Sequence, residues 1–260
     1  MTGSVQLPLL STSSHQSAGL KPIWREYFTQ YVVSELGDRA DLLDRVLPTY
    51  PPFGKRMLMD NGWYRMLRND RVELVADPVK EIGPDRVITE DGREFEIDVL
   101  VIATGFDVIR FLTSFEARGR SGRSLREVWD DDDARAYLGL AVPDFPNFFC
   151  LYGPNTQPGH GGSLIFVVEM QMHYIMSILQ TMIRDGVGAV ECRRDVHDAY
   201  NEQVDRAHEK MVWTHPGMST YYRNAKGRVV VNFPFRNVDL FERTRLADLE
   251  TEFVVEPAQA

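Results

Sequence analysis

The stretch FFCLYGPNTQPGHGGSLIFVVEMQMHYI, residues 148–175, decides how the chain is read. An apolar run ends at Gly153, a loop with Pro154, Asn155, Pro158 and three more glycines follows, and a long apolar segment begins near Ser163. This pattern predicts strand, glycine-rich turn and helix. A helix start offers free N–H groups and partial positive charge, so it suits an anionic or carbonyl-rich group. A dinucleotide phosphate site would show GxGxxG, for the turn, for close backbone approach and for helix packing, with an acidic residue about 20 residues on. Gly159 and Gly161 fill the first two places, but the third is Leu164, and Asp185 ends the same predicted helix. Gly186-Val187-Gly188 follows a helix and precedes a strand. The phosphate fingerprint is absent. Two readings of the loop stay open: it holds a ring such as a flavin by its carbonyl-rich edge, or it only turns the chain.

Working outward, FFCLYG and the run Val99–Ala103 of EFEIDVLVIATG are apolar throughout, as in strands buried on both faces of a parallel sheet. Before them VELVAD, VKEI and RVIT are short β-rich runs, and Asp91-Gly92 signals a hairpin, so a small antiparallel meander is expected. Residues 22–47 are expected as helix, with Trp24, Tyr27, Phe28, Tyr31 and Val32 on one face, a break at Gly37, and Leu42, Leu43 and Val46 inward. In the helix from Ser163 to Arg184, Glu169, His173, Ser177, Gln180 and Arg184 form one polar stripe, which predicts burial of the rest. VGAVEC is expected as a strand, then a helix capped by Asp195 and burying Val196, Tyr200, Val204, Ala207 and Met211, a strand RVVVNF and a helix VDLFERTRL.

The 260 residues carry a net charge of −9 with no basic stripe, which argues against nucleic acid as partner. Cys150 and Cys192 lack metal-ligand spacing and read as buried free thiols in a reducing, cytoplasmic setting. No apolar run is long enough for a membrane span, and the Ser-rich start reads as a poorly ordered segment over 1–21 rather than a signal peptide.

Four stretches together carry a resemblance: KRMLMDNGWY (55–64), DVLVIATGFD (98–107), FPNFFCLYGPNTQPGHGGS (145–163) and WTHPGMSTYYRNAKGRVVVNFP (213–234). In order and spacing they resemble the C-terminal half of flavin-dependent Baeyer–Villiger monooxygenases of the 4-hydroxyacetophenone and cyclohexanone monooxygenase type. The resemblance implies an α/β fold, here an incomplete two-dinucleotide-binding, Rossmann-like flavoprotein fold with a small antiparallel meander. It implies FAD and NADPH as cofactors, O2 as co-substrate, and a ketone or soft heteroatom as the small-molecule substrate. Residues 22–75 would be the remnant of the NADPH domain, and 76–260 the C-terminal part of the FAD domain with an extension. The family's two GxGxxG loops and its FxGxxxHxxxWP signature have no counterpart, so the chain reads as a truncated product, a mis-called start or one half of a split enzyme. A non-catalytic module that pairs with a separate N-terminal half, or with a second copy, is the alternative.

By the same resemblance Arg56 is the catalytic arginine, charged at any relevant pH and able to stabilise negative charge developing on oxygen. Its alternative is a surface pair with Lys55. The cofactor would be met by Lys55, Asp60, Ala103, Thr104, Gly105, Phe106, Asn155, His160, Gly161, Gly162 and Ser163, with the helix start at 161–163 facing the flavin's pyrimidine edge. Asp60 serves equally as a helix cap, Asn155 and Gly105 as turn residues, and His160 as a loop residue. Trp213 is assigned to the substrate or NADPH entrance, with packing as the alternative. Glu169 with His173, and the run WDDDDA (129–134), lack the further ligands a metal needs.

Overall fold

The computed structural model describes residues 17–159 and 161–258. They fall into two compact units: Gly19–Thr49 with Met57–Phe106, and Tyr50–Arg56 with the chain from Asp107 on. The division does not follow the expected boundary at residue 75, because the meander groups with the helical segment and the 50–56 loop with the remainder.

The smaller unit begins with α1 (Ser17–Leu36), five residues earlier than expected, and Pro22 lies inside it. Its inward positions are Trp24, Phe28, Val32 and Leu36, one every four residues, and the Trp24 and Phe28 rings stack at 5.6 Å. Tyr27 and Tyr31, expected on that face, are exposed, and Tyr31 donates to Asp60. Gly37 ends the helix at φ +58°. A 3-10 turn (Ala40–Leu42) and α2 (Leu43–Val46) follow, packing Leu42 and, in part, Leu43 and Val46 against Val32 and Leu36. After α3 (Trp63–Met66) come β1 (Val79–Ile82), β2 (Arg86–Thr89) and β3 (Glu94–Glu96), an antiparallel meander in the order β1-β2-β3. Asp91-Gly92 makes the expected hairpin: Gly92 has φ +86°, and Thr89 N–H donates to the Arg93 carbonyl. VELVAD is not a strand. Nor is Val99–Ala103, which the sequence predicts as a central strand. It is exposed, and among the described residues no strand pairs with it.

The larger unit contains α4 (Leu125–Val128), β4 (Gln157–Pro158), α5 (Leu164–Asp185), β5 (Val187–Cys192), α6 (Arg194–His208), β6 (Asn232–Phe233), α7 (Asn237–Arg243), α8 (Leu249–Glu252) and β7 (Phe253–Pro257). Its main core joins Tyr174, Ile175 and Ile178 of α5 to Val190 and Cys192 of β5, Tyr200 and Val204 of α6, and Phe253 of β7. The C-terminal segment was not anticipated. It returns as β7, pairs antiparallel with β5, and is pinned where Glu252 accepts from Tyr137 OH (2.6 Å) and Tyr174 OH (2.5 Å). Cys150 and Cys192 are free and buried, and burial pushes their thiols up to about 11 and about 12.

Three expectations fail here. FFCLYG forms turns rather than a strand; the loop beyond it supplies β4, which pairs parallel with β6. The polar stripe of α5 is interrupted, because Ser177 is buried, accepting from Ala247 N–H and donating to the Tyr174 carbonyl. Instead Ile165, Met172, Met176, Leu179 and Ile183 are exposed. In α6 the inward residues include His197, Asn201 and His208, and the cap position is Arg193 rather than Asp195. The WDDDDA acids are matched by arginines and a lysine: Asp131 by Arg110 and Arg126, Asp133 by Arg135 and Arg228, and Asp130 by Lys226.

Candidate functional site

In the larger unit Arg56 and the glycine loop come together. Arg56 Nη1 donates to the Pro158 carbonyl at 3.4 Å. Arg56 is exposed, and no carboxylate partner is recorded for it among the described residues, whereas most arginines of this chain face an acid. Gly54, just before it, is buried where a Cβ would strike Met218, so the 50–56 loop is seated on the 213–222 segment. Lys55 points elsewhere, with its ammonium 4.7 Å from the Tyr50 ring centre. The positive charge of Arg56 reaches Tyr152 and Tyr222, opposing the rise that burial imposes on both phenols. Tyr222 OH accepts from Tyr221 OH at 3.1 Å.

The loop is held from beneath by a buried polar network. Asn155 sits at φ +55° and is 2% exposed. Its Nδ2 donates to the carbonyls of Val229 (2.8 Å) and Asn232 (3.2 Å), and its Oδ1 accepts from Arg228 Nη2 (2.9 Å). Its amide, expected in the flavin pocket for its donor and acceptor, is therefore committed to the protein. Arg228 continues to Asp205 Oδ1 (2.7 Å) and the Ala134 carbonyl (2.9 Å), and Arg135 meets the same aspartate (2.8 Å). His208 Nε2 lies 3.1 Å from the Asn232 carbonyl, so that nitrogen carries the proton.

Burial and the Arg228 charge lower the His208 pKa to about 4. The unfolded chain would protonate this group near 6.5. Below that pH the unfolded state binds the extra proton, so stability is complete above pH 6.5 and is lost as pH falls towards 4, by about 3 kcal/mol. Urea unfolding at pH 7.5, 5.5 and 4.5 should show this slope, and His208→Gln should flatten it.

Gly159 packs flat against the Trp213 ring, and a Cβ there would collide with it. Trp213 is 4% exposed, edge-on to His208 and Tyr222, so it is core rather than an entrance residue. Gly159→Ala is expected to cost about 1–3 kcal/mol through overpacking, read as a lower melting temperature; an unchanged melting temperature would refute the close packing. Gly161 (φ +70°) and Gly162 (φ +86°) then turn the chain into α5, and a Cβ at Gly161 would meet open space. Ser163 caps the helix, accepting from Ile165 and Phe166 N–H (3.1 and 3.4 Å). The Leu164 amide has no recorded acceptor among the described residues, and Leu164 and Ile165 are exposed. His160 lies outside the described residues.

The other expected residues belong to the smaller unit. Asp60 is a cap, accepting from Trp63 N–H (2.6 Å) and Tyr31 OH (2.7 Å), and these bonds hold its carboxyl below the usual range. Ala103, Thr104, Gly105 and Phe106 lie on the exposed segment that follows the meander, with Gly105 at φ +84°. The cavity of about 230 Å³ lined by Phe111, Phe115, Leu125, Arg126 and Trp129 shares no residue with the loop. Tyr152, Tyr222, Arg228 and His208 were not singled out in sequence; Tyr152 lies in the quoted 145–163 stretch and Tyr222 and Arg228 in the 213–234 stretch, while His208 lies in none of the quoted stretches.

No protein-family model matches the chain. An uncharacterized monooxygenase of Sinorhizobium fredii is 47% identical over 226 residues, 87% of this chain and 34% of that one. A Baeyer–Villiger monooxygenase of Streptomyces coelicolor is 30% identical over 217 residues, 83% of this chain and 41% of its own length. The chain is a homologue of flavin-dependent monooxygenases of the Baeyer–Villiger type. The fold agrees. Cyclohexanone monooxygenase from Rhodococcus sp. Phi1, bound to NADP+, superposes with TM-score 0.79 at 25% identity over 92% of this chain and 46% of that one. OTEMO in complex with FAD and NADP superposes with TM-score 0.80 at 21% identity. The homologue thus spans a third to two fifths of these curated relatives and a little under half of the solved chains.

Proposed function

We propose that this monooxygenase homologue contributes to the FAD- and NADPH-dependent insertion of oxygen beside a carbonyl. A ketone, O2, NADPH and a proton would give an ester or lactone, NADP+ and water. The observation that carries the reading is Arg56, a guanidinium without a recorded carboxylate partner, hydrogen-bonded to the loop that leads into the capped start of α5. The residues present fit one end of the cofactor. The open turn at Gly161 and the start of α5 would hold the carbonyl-rich edge of the flavin ring through backbone N–H groups and the helix dipole. No GxGxxG loop is present for the phosphates. When bound, the flavin supplies hydride acceptance and oxygen activation.

The chain's own residues do the rest. Arg56 places N–H donors and a fixed charge beside the oxygen on which negative charge grows. Tyr152 and Tyr222, in the field of Arg56 and kept protonated by burial, line its flank without competing for its charge. The Asn155–Arg228 network holds the loop so that neither moves as charge develops. In this reading residues 22–75 close an NADPH domain and 76–260 belong to an FAD domain. A soft heteroatom is the other substrate class. A cytoplasmic setting agrees with the two buried, unpaired thiols.

The exposed apolar run at Val99–Ile102 favours a second reading, in which the chain acts only with a further polypeptide segment. One experiment addresses both. Purified chain is titrated with FAD, alone and with the N-terminal part of the Sinorhizobium fredii relative, followed by its visible spectrum and by NADPH oxidation with a cyclic ketone. Flavin uptake by the chain alone supports the first reading without the second. Uptake only by the pair supports both. No uptake in either preparation refutes the monooxygenase reading.

A further inference from the structure

Along the inward face of α5, Val167, Gln171, Tyr174 and Ile178 follow one another at helical spacing, and all are 1% exposed or less. An apolar side chain would suit the second of these places, since a buried amide costs stability unless its groups are bonded. Gln171 is bonded at both ends. Its Oε1 accepts from Tyr152 N–H at 2.8 Å, and its Nε2 donates to the Leu138 carbonyl at 3.0 Å. The partners settle which end of the amide is which, because an N–H needs an acceptor and a carbonyl needs a donor. The two residues it holds share an uncommon backbone. Leu138 has φ +52° and Tyr152 φ +53°, the left-handed region, where Cβ crowds the carbonyl oxygen. The turns that carry them touch: a Cβ on Gly153 would strike the Gly139 carbonyl, and one on Gly139 would strike Thr156. Thr156 Oγ1 in turn donates to the Gly153 carbonyl at 2.7 Å. Gln171 thus ties the turn at Leu138 to the stretch from which the glycine loop starts.

Arg56 is bonded to Pro158 further along that loop, and its charge acts on the Tyr152 phenol. A strained backbone persists only where its surroundings impose it, and such strain gathers at working sites. We propose that Gln171 is a positioning residue: by bridging Tyr152 N–H and the Leu138 carbonyl it imposes the left-handed backbone at Tyr152 and so holds the phenol beside Arg56. This rests on the monooxygenase reading, in which Tyr152 lines the flank of Arg56, and adds to it the side chain that sets that flank. Without the bridge Tyr152 would relax to negative φ. That rotation turns its Cβ, and the ring with it, away from the present direction. An amide that merely filled the core could be replaced without moving the ring.

The test places 3-fluorotyrosine at position 152 of the full chain and follows its fluorine resonance at about pH 6, where the phenol is un-ionised. The resonance reports the local electric field, so Arg56→Ala should move it in the parent. Gln171→Met keeps the volume but neither bond. Its ring should leave Arg56, and Arg56→Ala should then leave the resonance unmoved, a coupling read as a double-mutant cycle. Gln171→Glu is the conservative rescue. Burial keeps its carboxyl protonated at this pH, so it accepts through one oxygen and donates through the other, and the parent response should return. Should Gln171→Met fail to fold by circular dichroism, Gln171→Asn, too short to span both groups, takes its place; loss of fold in both would make the glutamine structural and overturn the proposal. An equal response to Arg56→Ala with and without the glutamine would overturn it too, as would no response in the parent. In a flavin-loaded preparation Gln171→Met should lower kcat by about 10- to 100-fold with KM little changed. Unchanged kcat beside a displaced ring would count against the positioning role. Absence of flavin uptake in every preparation would sink the monooxygenase reading alone, since the fluorine experiment needs no flavin and still decides the bridge.

Discussion

Replacing Arg56 by alanine should lower ester formation by about 10²- to 10³-fold, the effect of removing one donor from a site where negative charge develops. The assay is product formation by the flavin-loaded pair of polypeptides. The structure says why the loss should be catalytic. Arg56 is exposed, its recorded bond is to the Pro158 carbonyl at 3.4 Å, and no ion pair is recorded for it among the described residues. Removing it leaves no recorded buried group without a partner, so melting temperature and flavin spectrum should match the parent. Arg56→Lys keeps the charge but lacks the planar fork of donors, and should recover only part of the rate. Full activity in Arg56→Ala would refute the catalytic assignment; a fall in melting temperature parallel to the fall in rate would make the residue structural.

Arg228→Met should produce a large loss of stability, about 2–4 kcal/mol, because the buried oxygens that this guanidinium serves would each lose a donor. The Arg228 side chain is only 10% exposed. It bonds Asp205 at 2.7 Å, the Ala134 carbonyl at 2.9 Å and Asn155 Oδ1 at 2.9 Å. Deletion leaves Asp205 with Arg135 alone and leaves two buried oxygens without this donor. Asn155 would then hold its left-handed backbone without a bond to its side-chain oxygen, and the loop should loosen with it. Denaturant unfolding measures the loss. Arg228→Lys, which keeps one charged donor but not the planar fork, should lose less. Neutrality of Arg228→Met would mean that the network neither supports the fold nor fixes the loop.

Both predictions turn on side chains of very different legibility. Arg56 was readable through resemblance, since a Lys-Arg pair in a loop carries no local signal of its own. Arg228 lies in a segment quoted for that resemblance, yet nothing in GRVVVNF marks its arginine as buried. Its burial depends on Asp205 and Arg135, 23 and 93 positions earlier, and on Asn155. Trp213 and Asp60 went the other way. Each was assigned a cofactor or substrate role with a structural alternative beside it, and the structure supports the alternative: a ring filling the space under Gly159, and a carboxylate closing a helix start.

The sequence by itself determined the long helices and the hairpin. A helix bonds to itself, so the apolar period from Trp24 to Val32 and the long run from Ser163 to Gly186 suffice to place the body of α1 and the whole of α5, though not the first turn of α1. Asp91-Gly92 acts just as locally, since a two-sided turn needs only its own φ angles. Strand partnership was decided only in three dimensions. Val99–Ile102 and FFCLYG both read as buried strands, but a strand's hydrogen bonds come from another segment, and burial of its faces from still others. Where no described segment pairs with them, as at Val99–Ile102, such residues stand exposed, and where a distant one does, as for Gln157–Pro158 on Asn232–Phe233, a loop becomes a strand.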